Sequence, residues 1–469
     1  MTAPVSNVKD DVDHLEMMDK EIGATIEPRQ AGDELAPSPQ QVAFDKKMLL
    51  KLDLILVPVI SMLYLLVFVD RVNIGNARVA GLQRDLRLTD LQYQTAVTVT
   101  YVLYIAAELP SNLLLKKLGP KVVLSGLCFL WGTVTTLQCL VNNYSGLLAA
   151  RLMLGLAEGG LFPGINLYLS MFYQREELQL RIAMFYSFAA FSGAFSGLLA
   201  AAIAKMHGIG GLSGWQWIFC LEGIFTVLFA PVAYYLLPNT PHQVRLFTEE
   251  QADRCAQRLR LDAAYLETET EKVTLRGVLS VYKSIHLWPM FVIMFCGGTT
   301  VFGLAFFMPS IVLGMGYSPV RTQLMTVPPF AVAFVVCLGT AYLADHYRKR
   351  GITAMITLFV SLVGILMFYK GRTNAVRYPS LFFLVTGAYA NGPCLLAWVP
   401  NNTAAHTRRA TAIATSFMLT NSGGILNKRK ENPLYREKML RDVQGMTFAQ
   451  QMEKVVSKDG KGQMADDPD

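Results

Sequence analysis

Two groups of ionisable residues lie within or directly after long apolar runs, and they are the residues best suited to chemistry. Asp70 and Arg71 follow the apolar run 54–69, and Arg151 and Glu158 lie inside the run 147–171. An ionised side chain at the centre of a membrane helix costs about 2.5–3.5 kcal/mol, so such residues usually pair inside a helix bundle or line a pathway for ions. The pattern predicts ion-coupled transport of a solute.

The spacing of Arg151 and Glu158 predicts that they share one face of a helix. Seven residues correspond to two turns, which separate the two side chains by about 10.5 Å along the helix axis. We expect them to act as a pair, with Glu158 as the proton-binding site. Burial favours the neutral form of a carboxyl, whereas a nearby arginine favours the charged form. The alternative is that both residues only hold neighbouring helices together.

Asp70 and Arg71 are adjacent, so their side chains point about 100° apart on a helix and cannot both reach one partner. We expect Arg71 to face a cavity and bind an anionic substrate, because a guanidinium can hold a carboxylate through two parallel hydrogen bonds. Asp70 would then brace a neighbouring helix. The alternative is that the helix ends at Val69 and leaves both residues in water at the outer interface.

Several other polar residues in apolar segments are weaker candidates. Ligand contacts are predicted for Asn73, Tyr101, Tyr104 and Asn401. Asn401 could equally cap its helix. Glu108 or Asp70 could carry a second proton. For Glu222, a helix-packing role is the preferred interpretation over a role in transport.

Composition indicates an all-α polytopic membrane protein. The chain has 469 residues, of which 52% are hydrophobic and only 16% charged. Apolar runs of about 18–22 residues recur, and each is long enough to cross a bilayer core. The net charge of +7 does not indicate nucleic-acid binding, because the basic residues are scattered through short loops. The seven cysteines lack paired spacing, and no metal or phosphate motif or nucleophile–base set is visible, so we expect no cofactor, metal or enzymatic activity.

The apolar runs predict five regions. Residues 1–45 form a disordered cytoplasmic tail, 46–238 a six-helix bundle, 239–286 a cytoplasmic linker, 287–426 a second bundle of about five spans, and 427–469 a polar basic tail. The spans are predicted at about 50–70, 93–115, 121–141, 146–172, 182–204, 215–237, 287–313, 322–344, 352–369 and 379–401, with an eleventh from about 410. In the linker, Thr248 and Gln251 form a predicted capping box that opens a surface helix to about Leu261.

Lysine and arginine in the loops predict the orientation. They concentrate in the central loop and in the loops on the same side as the N-terminus, although Arg78, Arg84 and Arg87 are exceptions. By the positive-inside rule, the N-terminus and the central loop are cytoplasmic. We expect a multi-pass protein of the plasma membrane.

The C-terminal end departs from a twelve-span pattern. The eleventh apolar run spans about 16–17 residues, the short limit for crossing, and then meets Asn427-Lys428-Arg429-Lys430. Nothing in 427–469 is apolar enough for a twelfth span. We expect either that the eleventh segment does not cross or that a stretch is missing between about 425 and 427.

Three motifs resemble the fungal allantoate and nicotinate permease group, within the anion:cation symporter family of the major facilitator superfamily. They are Asp70-Arg71-Val72-Asn73-Ile74-Gly75-Asn76-Ala77, the run from Arg151 through Glu158-Gly159-Gly160 to Pro163-Gly164, and Gly214-Trp215-Gln216-Trp217-Ile218-Phe219 with Glu222-Gly223. The resemblance covers about residues 45–425. It implies two six-helix bundles, here with an incomplete C-terminal one, and proton-coupled uptake of small organic anions. It also implies that Arg71 contacts the substrate carboxylate, while Arg151 and Glu158 couple it to protons.

The resemblance also implies a gate. Ala341-Tyr342-Leu343-Ala344-Asp345-His346-Tyr347-Arg348-Lys349-Arg350 is similar to the gate-stabilising loop of the family, with Asp345 and Arg348 as its charged residues. The corresponding loop of the first bundle has Lys116 where the general pattern has aspartate.

Together these observations favour a proton symporter for a small carboxylate, such as nicotinate or allantoate, that works by alternating access. Its partners would be the anion, protons and the lipid bilayer, with no nucleic acid, and we expect a monomer. The alternative function is a non-transporting membrane sensor or an inactive truncated transporter. The incomplete C-terminal bundle is the feature that favours this alternative.

Overall fold

The computed structural model describes residues 38–267, 280–347, 350–401 and 406–429. The chain divides into a short unit, Met1–Leu50, and a large one, Lys51–Asp469. In the short unit, residues 40–50 belong to the first turns of a long helix, α1, which covers Pro39–Val79. Within the described ranges every regular element is a helix, and eight helices are long and apolar enough to cross a membrane. The protein is therefore an all-α, multi-pass membrane protein.

The N-terminal bundle follows the predicted spans. After α1 come the short α2 (Leu82–Asp85), α3 (Asp90–Leu118), α4 (Pro120–Gln138), α5 (Tyr144–Glu158), α6 (Leu161–Leu169), α7 (Arg175–Ile203) and α8 (Gly214–Leu236). Together α5 and α6 make the fourth span, interrupted at Gly159-Gly160 directly after Glu158. Because α1 continues ten residues beyond Val69, Asp70 and Arg71 lie within the helix and are buried, in contrast to the interfacial alternative.

Two glycines let α5 approach α3 closely enough to bring Glu158 beside the tyrosines of α3. A Cβ on Gly155 would lie 2.0 Å from the Thr100 carbonyl oxygen, and one on Gly159 would lie 2.2 Å from the Tyr104 carbonyl oxygen. No larger residue fits either position without moving a backbone. The small residues noted in the sequence therefore set the distance between these helices.

The linker and second bundle also follow the predicted order. The linker helix α9 (Glu249–Glu267) begins after the Thr248 cap and extends beyond Leu261. It is followed by α10 (Leu287–Leu313), α11 (Pro319–His346), α12 (Arg350–Lys370), α13 (Asn374–Asn401) and α14 (His406–Arg429). Helix α14 is longer than the apolar run that predicted it, since it continues through Asn427 and Lys428 to Arg429. The predicted polar tail from residue 430 onward lies outside the described residues.

The two bundles contact each other through α7 with α11 and α13, and through α3 with α14. Backbones of the two bundles approach each other closely at the end where α1 and α7 finish. There, a Cβ on Gly75 would lie 2.5 Å from the Phe306 carbonyl oxygen, and one on Gly197 would lie 3.0 Å from the Gln323 carbonyl oxygen. The bundles are therefore packed backbone to backbone at this end.

At the opposite end of the N-terminal bundle, charged residues form a fully bonded network. Arg181 Nε and Nη2 donate to Asp53 Oδ1 and Oδ2 at 3.0 and 2.8 Å, and its Nη1 donates to the Glu177 carbonyl oxygen at 2.9 Å. The Tyr173 hydroxyl adds a 2.8 Å hydrogen bond to Asp53. From α9, Arg258 pairs with Glu177 and holds the linker helix against this end. We call these residues the end network.

Candidate functional site

Arg71 lies in a box of aromatic rings near the middle of the molecule. Only 8% of the residue is exposed, and its guanidinium carbon lies 4.9 Å from the Tyr104 ring centroid and 5.0 Å from that of Phe68. The rings of Tyr101 and Phe302 lie at 5.8 and 5.6 Å. Ring faces attract a cation but do not use up its N–H donors. The box therefore stabilises the charge and leaves the guanidinium able to bind an anion.

The carboxylate closest to Arg71 is Glu158, whose Oε2 lies 3.6 Å from Arg71 Nε. This differs from the pairing of Arg151 with Glu158 that the spacing suggested. Two helical turns separate that pair along one axis, whereas Arg71 reaches Glu158 from the facing helix. The contact is longer than a good charge-assisted hydrogen bond, and Glu158 Oε1 has no hydrogen-bond partner among the described residues. The pair is therefore held together loosely.

Arg151 is buried without a close anionic partner in the described part of the chain. Its exposed fraction is 4%, and its guanidinium lies 5.4 Å from the Phe219 ring centroid. The Nε and Nη2 atoms are buried without hydrogen-bond partners among the described residues. These two donors are thus available inside the bundle.

Two adjoining cavities bring these residues together. A small one of about 10 Å³ is lined by Arg71, Arg151, Glu158, Tyr101 and Tyr104, among others. A larger one of about 80 Å³ lies between the bundles and shares Arg71 and Tyr104 with the small cavity. Its wall is mainly aromatic and apolar, and includes Tyr64, Phe68, Phe162, Tyr186, Phe302 and Phe417. The C-terminal bundle contributes the amides of Asn391 and Asn421.

Asp70 and Asn73 point away from this cavity, toward the interior of the N-terminal bundle. Asp70 Oδ1 accepts a 2.9 Å hydrogen bond from Thr135 Oγ1 on α4. The Asn73 amide donates to Glu222 Oε2 on α8, and its own carbonyl oxygen accepts from Asn76 Nδ2 at 3.2 Å. Neither residue lines either cavity. In this structure Asn73, predicted as a substrate contact, is instead a partner of Glu222.

Glu108 joins the two bundles beside the larger cavity. Its Oε1 accepts a 2.8 Å hydrogen bond from Asn421 Nδ2 on α14. The side chain is half-buried, and Asn421 itself lines the cavity. An anion that reached Asn421 would therefore act directly on this contact between bundles.

The predicted positions on the second bundle remain predictions. Arg348 and the side chains of Asn401 and Asp345 lie outside the described residues. The sequence reasoning missed Asn391 and Asn421, although polar residues inside apolar segments were the available signal. It also missed the aromatic wall, because rings such as Phe162 cannot be told from lipid-facing ones by residue type. The described residues hold no group of histidine, cysteine, aspartate and glutamate able to bind a metal ion.

The comparisons with known proteins agree on a family. The model of the Major Facilitator Superfamily matches residues 60–427. An uncharacterized transporter of Schizosaccharomyces pombe is 36% identical over 389 residues, covering 81% of this chain and 76% of its own. The high-affinity nicotinic acid transporter of Saccharomyces cerevisiae is 32% identical over 421 residues, covering 89% of this chain and 77% of its own.

Solved structures share the fold at low sequence identity. The proton:xylose symporter XylE bound to 6-bromo-6-deoxy-D-glucose aligns with a TM-score of 0.65 at 14% identity, covering 82% of this chain and 90% of its own. A bacterial homolog of the human lysosomal transporter Spinster aligns with a TM-score of 0.61 at 15% identity, covering 87% of this chain and 85% of its own. These likenesses show that the chain shares the fold of these structures.

Proposed function

The chain belongs to the Major Facilitator Superfamily, and we propose that this multi-pass membrane transporter is a proton-coupled symporter of small organic anions. The observation that carries the proposal is Arg71. This cation lies at the wall of a cavity between two bundles, and its Nε is 3.6 Å from the Glu158 carboxylate. Because one guanidinium faces both the cavity and Glu158, a substrate carboxylate and ionised Glu158 compete for it.

This competition supplies the coupling. When Glu158 is ionised, it attracts Arg71 and weakens the hold of Arg71 on an external anion. When a proton neutralises Glu158, the full charge of Arg71 becomes available, and its planar fork can hold a carboxylate through two hydrogen bonds. Proton and anion therefore favour each other's binding. In both states each buried charge near Arg71 has a counter-charge, which lowers the cost of closing the cavity around it.

The other predicted residues take supporting roles in this cycle. Arg151 keeps positive charge beside Glu158 in the small cavity and opposes permanent protonation of the carboxyl. Asp70 braces α1 against α4 through Thr135, which fixes the direction of Arg71. Tyr101 and Tyr104 surround the guanidinium, and Tyr104 also forms part of the wall of the larger cavity.

The lining of the cavity supports a substrate with a carboxylate at one end and a flat or apolar body. Arg71 would bind the carboxylate, the rings of Tyr64, Phe162 and Phe417 would pack against the body, and Asn391 or Asn421 would bind its polar atoms. Nicotinate fits this description, and the relationship to a nicotinic acid transporter supports it. Allantoate is the more polar member of the same class.

We further propose that the protein lies in the plasma membrane with its N-terminus in the cytoplasm. In that orientation, the end closed by Gly75 and Gly197 is the outer one. The structure would then represent a state in which the cavity is closed to the outside. Alternating access would separate these glycines from Phe306 and Gln323.

Uptake by the purified protein in liposomes tests the proposal. We expect labelled nicotinate or allantoate to accumulate above its outside concentration when the outside is more acidic than the inside, and this accumulation to be lost when a protonophore dissipates the gradient. Undiminished accumulation without the gradient would contradict proton coupling. If both anions bind but neither enters, the protein is a sensor or an inactive transporter.

A further inference from the structure

Five ionisable residues of the N-terminal bundle form one buried cluster: Asp70, Arg71, Arg151, Glu158 and Glu222. Each is at most 8% exposed. The cluster draws on four elements, because α1 contributes Asp70 and Arg71, α5 contributes Arg151 and Glu158, α8 contributes Glu222, and α4 contributes the Thr135 hydroxyl. If all five were ionised, three negative charges would face two positive ones. A buried cluster with an uncompensated charge is unfavourable, so one carboxyl must be neutral.

The geometry distinguishes the three carboxyls. Glu158 has Arg71 at 3.6 Å. Asp70 and Glu222 both lack an ion-pair partner within 4 Å in the described part of the chain, and each accepts a hydrogen bond from a neutral group, Thr135 and Asn73 respectively. Both Arg71 and Arg151 act on the charge of Asp70, whereas among the described residues Arg151 is the one arginine that acts on Glu222. Glu222 is thus the carboxyl with the least compensating positive charge.

The hydrogen bonds of Glu222 fit a carboxylic acid. Asn76 donates to the Asn73 carbonyl oxygen, which turns the Asn73 amide group toward Glu222 Oε2. Oε2 can accept this bond as the carbonyl oxygen of a neutral acid. Oε1 is buried and has no hydrogen-bond partner among the described residues. A carboxylate would leave a charged oxygen unsatisfied there, whereas a neutral acid leaves only a hydroxyl.

Among the described residues, Arg151 is the one cation that acts on Glu222. The charged groups that act on it are Asp70 from α1 and Arg151 and Glu158 from α5. Helices α4 and α7 carry their charged residues, such as Lys121 and Arg181, near their opposite ends.

We infer that Glu222 is a resident proton site, a carboxylic acid that keeps its proton through the transport cycle. The cluster is then neutral when Glu158 is ionised and Arg71 is free of substrate. It is neutral again when Glu158 is protonated and Arg71 holds a monovalent anion. This gives one coupled proton per monovalent anion and no net charge movement. The stoichiometry rests on the proposed symport, whereas the protonation of Glu222 does not.

Infrared spectroscopy of the purified protein with ¹³C-labelled glutamate tests the protonation directly. At neutral pH we expect a carbonyl band of a protonated glutamic acid that shifts with the label. It should persist in Glu158→Gln and Glu108→Gln and be absent from Glu222→Gln. If Glu222→Gln does not fold, Glu222→Asp should make the band insensitive to the glutamate label. Absence of the band from the wild-type protein, or its full persistence without Glu222, would overturn the inference.

Transport then tests the stoichiometry separately. A potassium gradient with valinomycin sets the membrane potential of liposomes while labelled nicotinate enters under a fixed pH gradient. One net charge per cycle would change accumulation up to about 50-fold per 100 mV, whereas the inference predicts no dependence on potential. Potential-driven uptake that Glu222→Gln abolishes would show that Glu222 exchanges its proton and would overturn a resident role. If no carboxylate is transported at all, the proposed function fails, and the infrared result still decides the protonation of Glu222.

Discussion

The end network and the buried cluster use the same residue types in opposite ways. In the end network, every guanidinium nitrogen of Arg181 donates a hydrogen bond, and both oxygens of Asp53 accept one. In the buried cluster, the one ion pair joins a single nitrogen of Arg71 to Glu158 at 3.6 Å. Arg151, Asp70 and Glu222 each keep a buried polar atom without a hydrogen-bond partner among the described residues.

This difference indicates that the two regions of the N-terminal bundle have different roles, one structural and the other proposed to be functional. A fully bonded pair with good geometry is rigid and resists the loss of either partner. An incompletely bonded cluster carries an energetic cost, which an arriving proton or anion can relieve. The end network therefore fixes α1, α7 and the linker helix, and the buried cluster is the part that we propose responds to ligands.

The largest effect on transport is expected from Arg71→Gln. Removing this charge takes away the group proposed to bind the anion and leaves Glu158 without its cation. We expect uptake of the carboxylate to fall at least about thirtyfold, in line with the loss of a buried charge partner. Uptake measured in liposomes containing equal amounts of protein checks this. Near wild-type uptake would remove Arg71 from the site.

Glu158→Gln should abolish proton-driven accumulation of the anion but leave anion exchange intact. The neutral amide imitates the protonated acid, so Arg71 stays available to the anion at every pH. With one coupled proton, a gradient of one pH unit supports about tenfold accumulation of a monovalent anion. We expect the variant to lose this accumulation and keep exchange of labelled for unlabelled anion. An unchanged pH profile would exclude Glu158 as the coupling residue.

Arg181→Gln breaks the end network, so we expect it to lower the stability of the protein and to leave the pH dependence of uptake unchanged. Asp53 would lose its paired donors at a partly buried position, which we expect to cost about 1–3 kcal/mol of stability. Thermal unfolding of the purified protein measures this loss. The pH dependence of the remaining uptake should match the wild type. A shifted pH profile would show that the two regions are not separate in function.

Gly75→Ala tests the closed end of the bundles. The added Cβ would lie 2.5 Å from the Phe306 carbonyl oxygen, so the two backbones must separate. We expect slower uptake and easier modification of cysteines introduced beside Phe306. Gly339→Ala is the matched control, because a Cβ there meets nothing within 4 Å. Equal behaviour of the two variants would contradict a close contact at this end.

The smallest effect is expected at Asp85, in the loop between the first two spans. Burial raises the pKa of this carboxyl, but hydrogen bonds from Ser213, Trp215 and Arg84 outweigh it and leave the pKa below its usual value. Such a group stabilises the fold above its unfolded pKa, and the contribution is lost as the pH falls through the lowered pKa. Asp85→Asn should therefore slightly lower the melting temperature at neutral pH. The difference in melting temperature from the wild type should disappear in acid. A difference that stays constant with pH would contradict a lowered pKa of Asp85 in the folded protein.

The all-α, multi-pass fold could be predicted from the sequence because apolar length is a local signal. The sequence also singles out Arg71, Arg151 and Glu158, since charges in apolar helices are conspicuous, and their roles stay predictions. It could not predict that Arg71 rather than Arg151 is the ion-pair partner of Glu158, because that depends on how α1 packs against α5. The link between Asn73 and Glu222 was missed for the same reason. The residues lie 149 positions apart, and only the packing of α1 against α8 brings them together.

Proton entry during anion uptake tests the central claim most directly. Liposomes with a trapped pH-sensitive dye would contain the wild-type protein or Glu158→Gln, and nicotinate or allantoate would be added without a preset gradient. The account predicts that the interior acidifies as the anion enters through the wild-type protein, and that it does not with Glu158→Gln or in protein-free liposomes. Anion entry through the wild-type protein without acidification would contradict proton coupling at Glu158.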